Sequence, residues 1–456
     1  MGKWKEYLGT KDFYKETIAI ALPIALQSLI TIGVNLVDNI MLGSLGETAL
    51  SASALAVSFI GFYNICCMGL GMGASVLVSR FYGMKDLSSL KKSVSLMLRF
   101  TILIGLFFTL FAAITPSGIM RMYTPDEVVI REGVRYLKWS VPCFLLMGLV
   151  TTTSIVLRSV GQTKVPLLGS CIAFFINIGA NYIFIFGKLG APAMGIEGAA
   201  LGTLISRIFE FVFNCGFFLI IDKRIGYRIK DLFGRCGDML GEYLRISIPV
   251  LVSDVLLGLG MNVVAMVMGR IGKEFVSANS ITTVTQQLST AMIQGMSQAG
   301  CIVTGHNLGK GEIEKARKQG WTFLLFGFIV GAFAGILIML IGDLIISFYN
   351  ITEETRQVAS SLMDAIGVIV IFQSANSIIT KGVLRGGGDT KVLMIADNIF
   401  LWLVSIPLGY VAGLVLHLPA FWIYFCLKMD QFLKAFWCMY RLKSGKWIKK
   451  IQGSSE

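Results

Sequence analysis

The chain has 456 residues, of which 55% are hydrophobic and only 15% are charged, and its mean hydropathy is +0.73. Soluble globular proteins carry about 25% charged residues, so this composition excludes a water-soluble fold and indicates a membrane protein. Its nine cysteines form no CxxC pair, and there are only two histidines. That inventory favours neither a disulfide framework nor a metal cluster.

Apolar stretches long enough to cross a bilayer, which takes roughly 20 residues, recur along the whole chain. The first follows Glu16 without a small-residue cleavage site, so it is predicted to be a retained helix and not a signal peptide. The sequence therefore predicts an all-α membrane protein of twelve transmembrane helices. These spans 1 to 12 are placed at residues 17–42, 50–78, 93–115, 134–157, 165–187, 195–221, 244–269, 276–303, 321–342, 358–384, 391–415 and 419–440.

The net charge of +13 follows the predicted topology. Segments on the side of the two termini carry 28 Lys and Arg residues, Lys3 and Lys5 among them, whereas the opposite side carries 8. By the positive-inside rule both termini are predicted to be cytoplasmic, in a multi-pass protein of the cell (inner) membrane. The basic residues thus orient the protein, and no nucleic-acid partner is expected.

The chain also repeats itself. Residues 155–164 (IVLRSVGQTK) return as 382–391 (GVLRGGGDTK), and Pro23 returns as Pro249, at offsets of 227 and 226 residues. Because six spans separate equivalent points, the two halves have the same orientation in the membrane. We predict two parallel-repeat six-helix lobes at 1–221 and 244–456, the second with a basic tail. A basic cytoplasmic linker at 222–243 joins them.

Ionisable side chains inside spanning helices are costly, and each is a functional candidate. Asp38 lies 15 residues beyond Pro23, about 22 Å along a helix, and so in the outer half of span 1. Asn177, Asn181 and Thr203 fall at the same predicted depth in spans 5 and 6. We predict that these four residues form a cation-coupling or substrate-binding group. The simpler alternatives are a carboxylate that reaches the outer interface or is held by a Lys or Arg, and amides that only join helices.

Other polar residues inside the spans are predicted with less specific roles. Arg207 and Glu210, three residues apart, are expected to pair with each other, and Lys428, Asp430 and Lys434 to form a solvated, self-paired stretch near the inner end of span 12. A possible second-lobe site would use Asp254, Gln287, Gln294 and Asp397. Hydrogen bonding between helices would explain the glutamines equally well.

The patterns Pro23…Asn35-Leu-Val-Asp38, 157–164 (LRSVGQTK) and 384–391 (LRGGGDTK) resemble those of the multidrug and toxic compound extrusion (MATE) family over nearly the whole chain. The resemblance implies a V-shaped pair of lobes and the export of organic cations, drugs or metabolites. It also implies that Asp38 belongs to a polar network with Asn177 and Thr203. At Asn181 the family commonly has an aspartate, and this departure weakens the case for sodium, which prefers charged oxygen ligands.

We therefore expect a proton- or sodium-coupled antiporter that works by alternating access, with Pro23 as the hinge of span 1. No cofactor is expected beyond the coupling ion. The expected partners are the lipid bilayer and a small, cationic, amphipathic substrate, and the expected state is a monomer. The alternative is a lipid-linked oligosaccharide flippase of the same superfamily, although such proteins carry more cationic residues in the central cavity. An enzyme is not expected, since HExxH, GxSxG and a motif-placed pair of aspartates are missing from the sequence.

Overall fold

The computed structural model describes residues 10–347, 349 and 351–451, which form helices joined by short turns and contain no strand. Lys3 and Lys5 lie outside the described residues. In chain order the helices are α1 (Lys11–Gly43), α2 (Glu47–Met84), α3 (Leu87–Ile114), α4 (Pro116–Tyr123), α5 (Glu127–Ser140), α6 (Cys143–Ser159), α7 (Lys164–Phe186), α8 (Ile196–Gly216), α9 (Ile229–Leu232), α10 (Gly237–Ile271), α11 (Lys273–Gly309), α12 (Ile313–Ser347), α13 (Glu353–Ser377), α14 (Thr390–Ile399), α15 (Ile406–Tyr410), α16 (Ala420–Leu427) and α17 (Met429–Ser444). Wider π-helical stretches extend several of them: Phe217–Ile221, Ile378–Leu384, Phe400–Ser405 and Val411–Val415.

The predicted all-α membrane fold with twelve spans is confirmed. Within the described residues, nine helices are long and apolar enough to cross a membrane, and the bent pair α5–α6 adds a tenth. The remaining two spans are α11, which is 37 residues long, and the interrupted pair α16–α17. They coincide with the predicted spans 8 and 12.

Span 4 was predicted to be one helix over residues 134–157, and the structure differs from this prediction. The structure has two helices there, α5 and α6, with a bend of 57° between them. Pro142 is the residue directly before α6, and a proline has no N–H to continue the hydrogen bonds of the preceding helix. The short helix α4, with Pro116 in its first turn, was not predicted at all. Asp126 caps α5 by accepting the backbone N–H of Val128 at 2.9 Å.

The described residues divide into two compact units. The N unit contains residues 26–78 and 86–251, and the C unit contains residues 10–25, 79–85 and 252–451. α1, α2 and α10 each contribute residues to both units. Each unit has its own apolar core, and large apolar side chains such as Phe107, Phe175 and Leu340 remain exposed on the helices, as expected for surfaces that face lipid.

Small residues allow close packing of neighbouring helices within the units. On α12, Gly327, Gly331 and Gly335 recur every four residues and face α13. A Cβ atom at Gly331 would lie only 2.7 Å from the Cα of Ile371. Small residues at such spacing are the usual means of bringing helix backbones together in a membrane, where the hydrophobic effect does not drive helices to associate.

Candidate ion and substrate site

α7 and α8 approach each other along Gly198 and Gly202, four residues apart on one face of α8. A Cβ at Gly198 would overlap the backbone carbonyl of Phe184, and one at Gly202 would overlap the side-chain oxygen of Asn181. Helix α7 ends directly after this contact, where Gly187 adopts the left-handed conformation that terminates many helices. The close approach places polar residues of the two helices side by side.

The four residues predicted from their depth lie together in the N unit. Asn181 Nδ2 donates to Asp38 Oδ1 at 2.6 Å and lies 3.4 Å from Asn177 Oδ1, while Asn177 Nδ2 lies 3.5 Å from Thr203 Oγ1. Asn177 and Asn181 are almost completely buried, and Asp38 is half-buried. The result is a chain of hydrogen bonds from α1 through α7 to α8.

Asp38 accepts a hydrogen bond from the side-chain amide of Asn181. Among the residues described, it forms no ion pair with Lys or Arg. The predicted pair of Arg207 and Glu210 is confirmed at 2.6 Å, so that guanidinium is already engaged with a carboxylate. Arg207 nevertheless interacts electrostatically with Asp38. Tyr136 on α5 closes the other side, since its hydroxyl interacts with Thr203.

A second layer of hydrogen bonds continues from Glu210. Ser170 donates to Glu210 Oε1 at 2.7 Å and accepts from Gln27 Nε2 at 2.7 Å. Arg158 in turn donates to the side-chain oxygen of Gln27. With all groups ionised, the two arginines balance Glu210 and Asp38, so the network is neutral until it gains a proton or a cation.

A cavity of about 40 Å³ opens beside this network. Its polar lining includes Thr31, Asn35, Asn177, Arg207 and Glu210. This volume can hold an ion or one or two water molecules but no drug-sized molecule. The arrangement is therefore suited to a small cation or a proton-carrying water.

The C unit carries the predicted second-lobe residues in two places. Asp397 is 4% exposed and lies 3.1 Å from Lys434 Nζ, which also lies 3.5 Å from Asp430. Asp254 lies 3.7 Å from Arg385. Both predicted aspartates are thus ion-paired, and neither is a lone acid. The self-pairing predicted for span 12 is present between Asp430 and Lys434. The prediction that this stretch is solvated is wrong, because Lys428, Asp430 and Lys434 are all buried.

Other predicted positions lie apart from these groups. Gln287 and Gln294 are exposed on α11, and the structure does not bring them to Asp397. Pro23 lies inside α1, which continues as one helix on both sides of it. The hinge role of Pro23 stays a prediction.

The polar contacts follow the internal repeat of the sequence. The Gln162–Asp222 hydrogen bond of 2.6 Å recurs 227 residues later as the Asp389–Lys449 ion pair of 3.4 Å. The contact between Gln27 and Ser170 is matched by a 3.5 Å contact of Ser253 with Asp397. Further equivalents, listed from N unit to C unit, are Arg158 and Arg385, Thr203 and Asp430, and Arg207 and Lys434.

Sequence reasoning missed several members of these networks. Gln27, Ser170 and Arg158 were not singled out, and Arg207 was considered only as the partner of Glu210. The internal repeat could have identified Ser170 and Arg207, because the equivalent positions in the C unit are the charged residues Asp397 and Lys434.

A duplicated array of twelve membrane helices, with a buried polar network inside each compact unit, is the architecture of a membrane transporter. The chain belongs to the MatE family, whose profile matches residues 23–183 and again residues 249–411. The two matches begin at Pro23 and Pro249, the pair of prolines that marks the repeat.

Curated relatives cover nearly the full length of the chain. It is 25% identical over 425 residues to the multidrug resistance protein MdtK of Yersinia pseudotuberculosis, covering 91% of this chain and 92% of that protein. It is also 25% identical over 458 residues to the probable multidrug resistance protein NorM of Thermotoga maritima, with coverages of 98% and 96%.

Solved structures share the fold. A MOP superfamily transporter from Pyrococcus furiosus superposes with a TM-score of 0.86 at 18% identity, covering 98% of this chain and 99% of that chain. A MATE protein in a straight conformation superposes with a TM-score of 0.87, at the same identity and coverage.

Proposed function

We propose that this protein is a cation-coupled antiporter that exports small organic cations, drugs or metabolites, and that Asp38 is the residue that exchanges the coupling ion. The observation that carries the proposal is the environment of Asp38. It is a carboxylate inside a membrane helix, bound by the amide of Asn181 and by no Lys or Arg among the described residues. The names of the relatives MdtK and NorM support a multidrug substrate range.

The hydrogen bonds of Asn181 suggest how protonation is communicated. The ionised Asp38 only accepts hydrogen bonds, whereas the protonated carboxyl also donates one. The side-chain oxygen of Asn181 is buried and has no hydrogen-bond partner among the described residues. Proton uptake by Asp38 therefore favours a rotated Asn181 amide that presents this oxygen to Asp38. Such a rotation changes the contacts to Asn177 and Thr203, and with them the link between α1, α7 and α8.

Among the described residues, Asp38 is the carboxylate of this network that lacks an ion-pair partner, and a single such carboxylate favours a proton or a monovalent cation. Arg207 is bound to Glu210, so Asp38 is the carboxylate left to take up an ion. A proton needs only that carboxylate, whereas sodium also needs oxygens from Asn177, Asn181 or Thr203. We place both termini in the cytoplasm, in a monomer of the inner membrane, because the positive-inside rule favours that orientation.

Transport by reconstituted protein tests the proposal. Vesicles containing the native protein are given a pH gradient or a sodium gradient separately, and ethidium movement is followed. We expect gradient-driven movement by the native protein and a fall to the rate of empty vesicles for Asp38→Asn. Asn181→Asp adds a second carboxylate, and we expect it to respond more strongly to sodium.

Asp12→Asn is the matched control, since Asp12 is an exposed carboxylate on the same helix α1. It should transport like the native protein. Transport at full rate by a correctly folded Asp38→Asn variant under both gradients would overturn the role of Asp38.

A further inference from the structure

A cavity of about 190 Å³ lies in the C unit, and it is larger than the cavity of about 40 Å³ beside the N-unit network. Its charged lining consists of Lys381, Lys428, Lys434, Asp397 and Asp430. Side-chain amides and hydroxyls line it as well, and on another side it is bounded by the apolar residues Leu257, Met261 and Leu401. A cavity with charged and apolar walls is suited to an organic ion and not to a bare inorganic one.

The two buried lysines of this cavity differ in their partners. Lys434 is held by two carboxylates, Asp397 at 3.1 Å and Asp430 at 3.5 Å. Lys428 is 8% exposed, and its described hydrogen-bond partner is the sulfur of Met261 at 3.4 Å. Within the part of the chain that is described, no carboxylate lies within 4.0 Å of the Lys428 ammonium.

An ammonium in this position lacks most of the contacts that it can make. It has three hydrogen-bond donors, and a thioether sulfur is only a weak acceptor. Buried charges in proteins are normally paired, because moving an unpaired charge out of water costs several kcal/mol. The Asp430 carboxylate is near, but it is already engaged by Ser405, Gln431 and Lys434. A counter-ion in the cavity would supply the missing partner.

The charge count of the lining indicates the charge of that counter-ion. The four buried groups balance, because Lys428 and Lys434 face Asp397 and Asp430, and the exposed Lys381 leaves one positive charge in excess. The neighbouring pair of Asp254 and Arg385 is neutral and does not alter the balance. A monoanion makes the cavity neutral, whereas a dianion would leave an excess of negative charge beside Asp397 and Asp430.

The helix geometry at Lys428 supports a binding site independently of the charges. The last membrane span is interrupted at this residue, between α16 and α17. Ser405, at the end of the π-helical stretch Phe400–Ser405, accepts the free backbone N–H of Asp430 at 2.6 Å and so stabilises the break. Interrupted membrane helices and π-helical turns both occur preferentially at binding sites.

The N unit shows that the repeat does not require this break. The position equivalent to Lys428 at the offset of 227 residues is Leu201, inside the uninterrupted helix α8. The charged lining of the small N-unit cavity is the paired Arg207 and Glu210, whereas the C-unit cavity has one more lysine than aspartates. The two cavities therefore differ in net charge as well as in volume.

From these observations we infer that the C-unit cavity binds the carboxylate of an organic monoanion, with Lys428 as its ion-pair partner. The amides and hydroxyls around the cavity hydrogen-bond the same carboxylate, and the apolar wall contacts the organic group. The inference concerns equilibrium binding and does not depend on ion coupling, so the transport experiment above and the following binding experiment can fail separately.

Benzoate and benzamide form a matched pair of probes, since they share shape and differ in charge. Binding of radiolabelled benzoate to the purified full-length protein in detergent is measured at equilibrium, with unlabelled benzamide and sodium chloride as competitors. We expect saturable benzoate binding that neither competitor displaces at equal concentration. Lys428→Gln, which removes the charge and keeps a donor, should weaken binding tenfold or more, on the order of a lost charge-assisted hydrogen bond. Lys428→Arg should restore most of it.

Lys443→Gln is the control, because Lys443 is exposed near the far end of α17, the helix that begins directly after Lys428, and native affinity is expected. Should Lys428→Gln not fold, Lys381→Gln at the exposed part of the lining should still weaken binding measurably. The proposal is overturned if benzamide competes as well as unlabelled benzoate, if chloride displaces the label equally, or if both lysine variants bind benzoate like the native protein.

Discussion

Asn181 lies at the close contact of α7 with α8, and its position depends on the missing side chain of Gly202. Its amide nitrogen donates to Asp38 at 2.6 Å, while its oxygen faces the Cα of Gly202. This packing orients the amide toward the carboxylate. The orientation of the Asn181 amide is thus set by a residue with no polar side chain.

Gly202→Ala tests that dependence. The added methyl group would overlap the oxygen of Asn181, so the amide must move and the bond to Asp38 must weaken. We expect a loss of stability of about 1–3 kcal/mol, typical of overpacking, together with reduced gradient-driven transport. Thermal unfolding in detergent and vesicle transport measure the two effects.

Gly179→Ala is the matched control in α7. A Cβ there would meet nothing within 4 Å, so stability and transport should be native or slightly improved. If Gly202→Ala matches this control in both assays, the packing account of Asn181 is wrong.

Because their predicted depths in the membrane agree, the sequence analysis grouped Asp38, Asn177, Asn181 and Thr203. The structure joins these four residues through hydrogen bonds. Depth along a helix can be read from a sequence because the rise per residue is constant. The direction in which each side chain points around the helix axis was not predicted. For that reason the electrostatic link between Arg207 and Asp38, and the second layer through Ser170, were missed.

Among the structural elements, the linker between α8 and α10 was predicted only as a basic connection, yet it is ordered by specific contacts to α3. Arg99 donates to the carbonyl oxygen of Leu232 at 2.6 Å, and Ser95 donates to that of Asp231 at 2.9 Å. The Asp231 carboxylate accepts the backbone N–H of Arg228 at 2.9 Å and lies 3.2 Å from Lys91 Nζ. Asp231 therefore both caps the short helix α9 and attaches it to α3.

Acid should release this linker. Burial alone would raise the pKa of Asp231, but the hydrogen bonds from Arg228 and Lys91 outweigh it and hold the pKa below its ordinary value. A lowered folded-state pKa stabilises the folded linker above the unfolded pKa of about 3.9, and this stability is lost as the pH falls through the folded value. Because the pair is partly exposed, the effect should be about 1 kcal/mol or less.

Hydrogen exchange of residues 222–236, corrected for intrinsic rates, measures the change. Protection should fall below about pH 4 in the native protein. In Asp231→Asn it should be lower already at neutral pH and nearly independent of pH in the acid range. Identical acid profiles for the two proteins would assign the release to another group.

Breaks within spans were the least predictable elements. Pro142 was visible in the sequence, but proline occurs both in bent helices and at helix starts, so the 57° bend between α5 and α6 could not be read from it. The break at Lys428 carries no proline or glycine signal. It is stabilised by Ser405, which is 25 residues from Asp430 in sequence, and therefore depends on tertiary contact.

For the whole molecule, the distribution of Lys and Arg predicts the orientation in the membrane. Green fluorescent protein fused to the C-terminus should fluoresce, because it folds in the cytoplasm. Alkaline phosphatase fused after Lys188, in the predicted outer loop between α7 and α8, should be active, because it needs an oxidising compartment. If the C-terminal fusion does not fluoresce and the fusion at Lys188 is inactive, the orientation in the membrane is the opposite of the predicted one.

The sequence by itself determined the membrane class, the twelve spans, the duplication and the depth of the polar residues. These follow from composition, helix length and a repeat register, which are properties of the chain read in order. Only the tertiary structure decided the partners of those residues: that Asp397 is bound to Lys434, that Asp38 faces an amide, and that Lys428 lines a cavity with no carboxylate within 4.0 Å among the described residues. Partners depend on the rotation and crossing of helices that are distant in sequence, and this geometry is set by packing contacts such as those of Gly198 and Gly202.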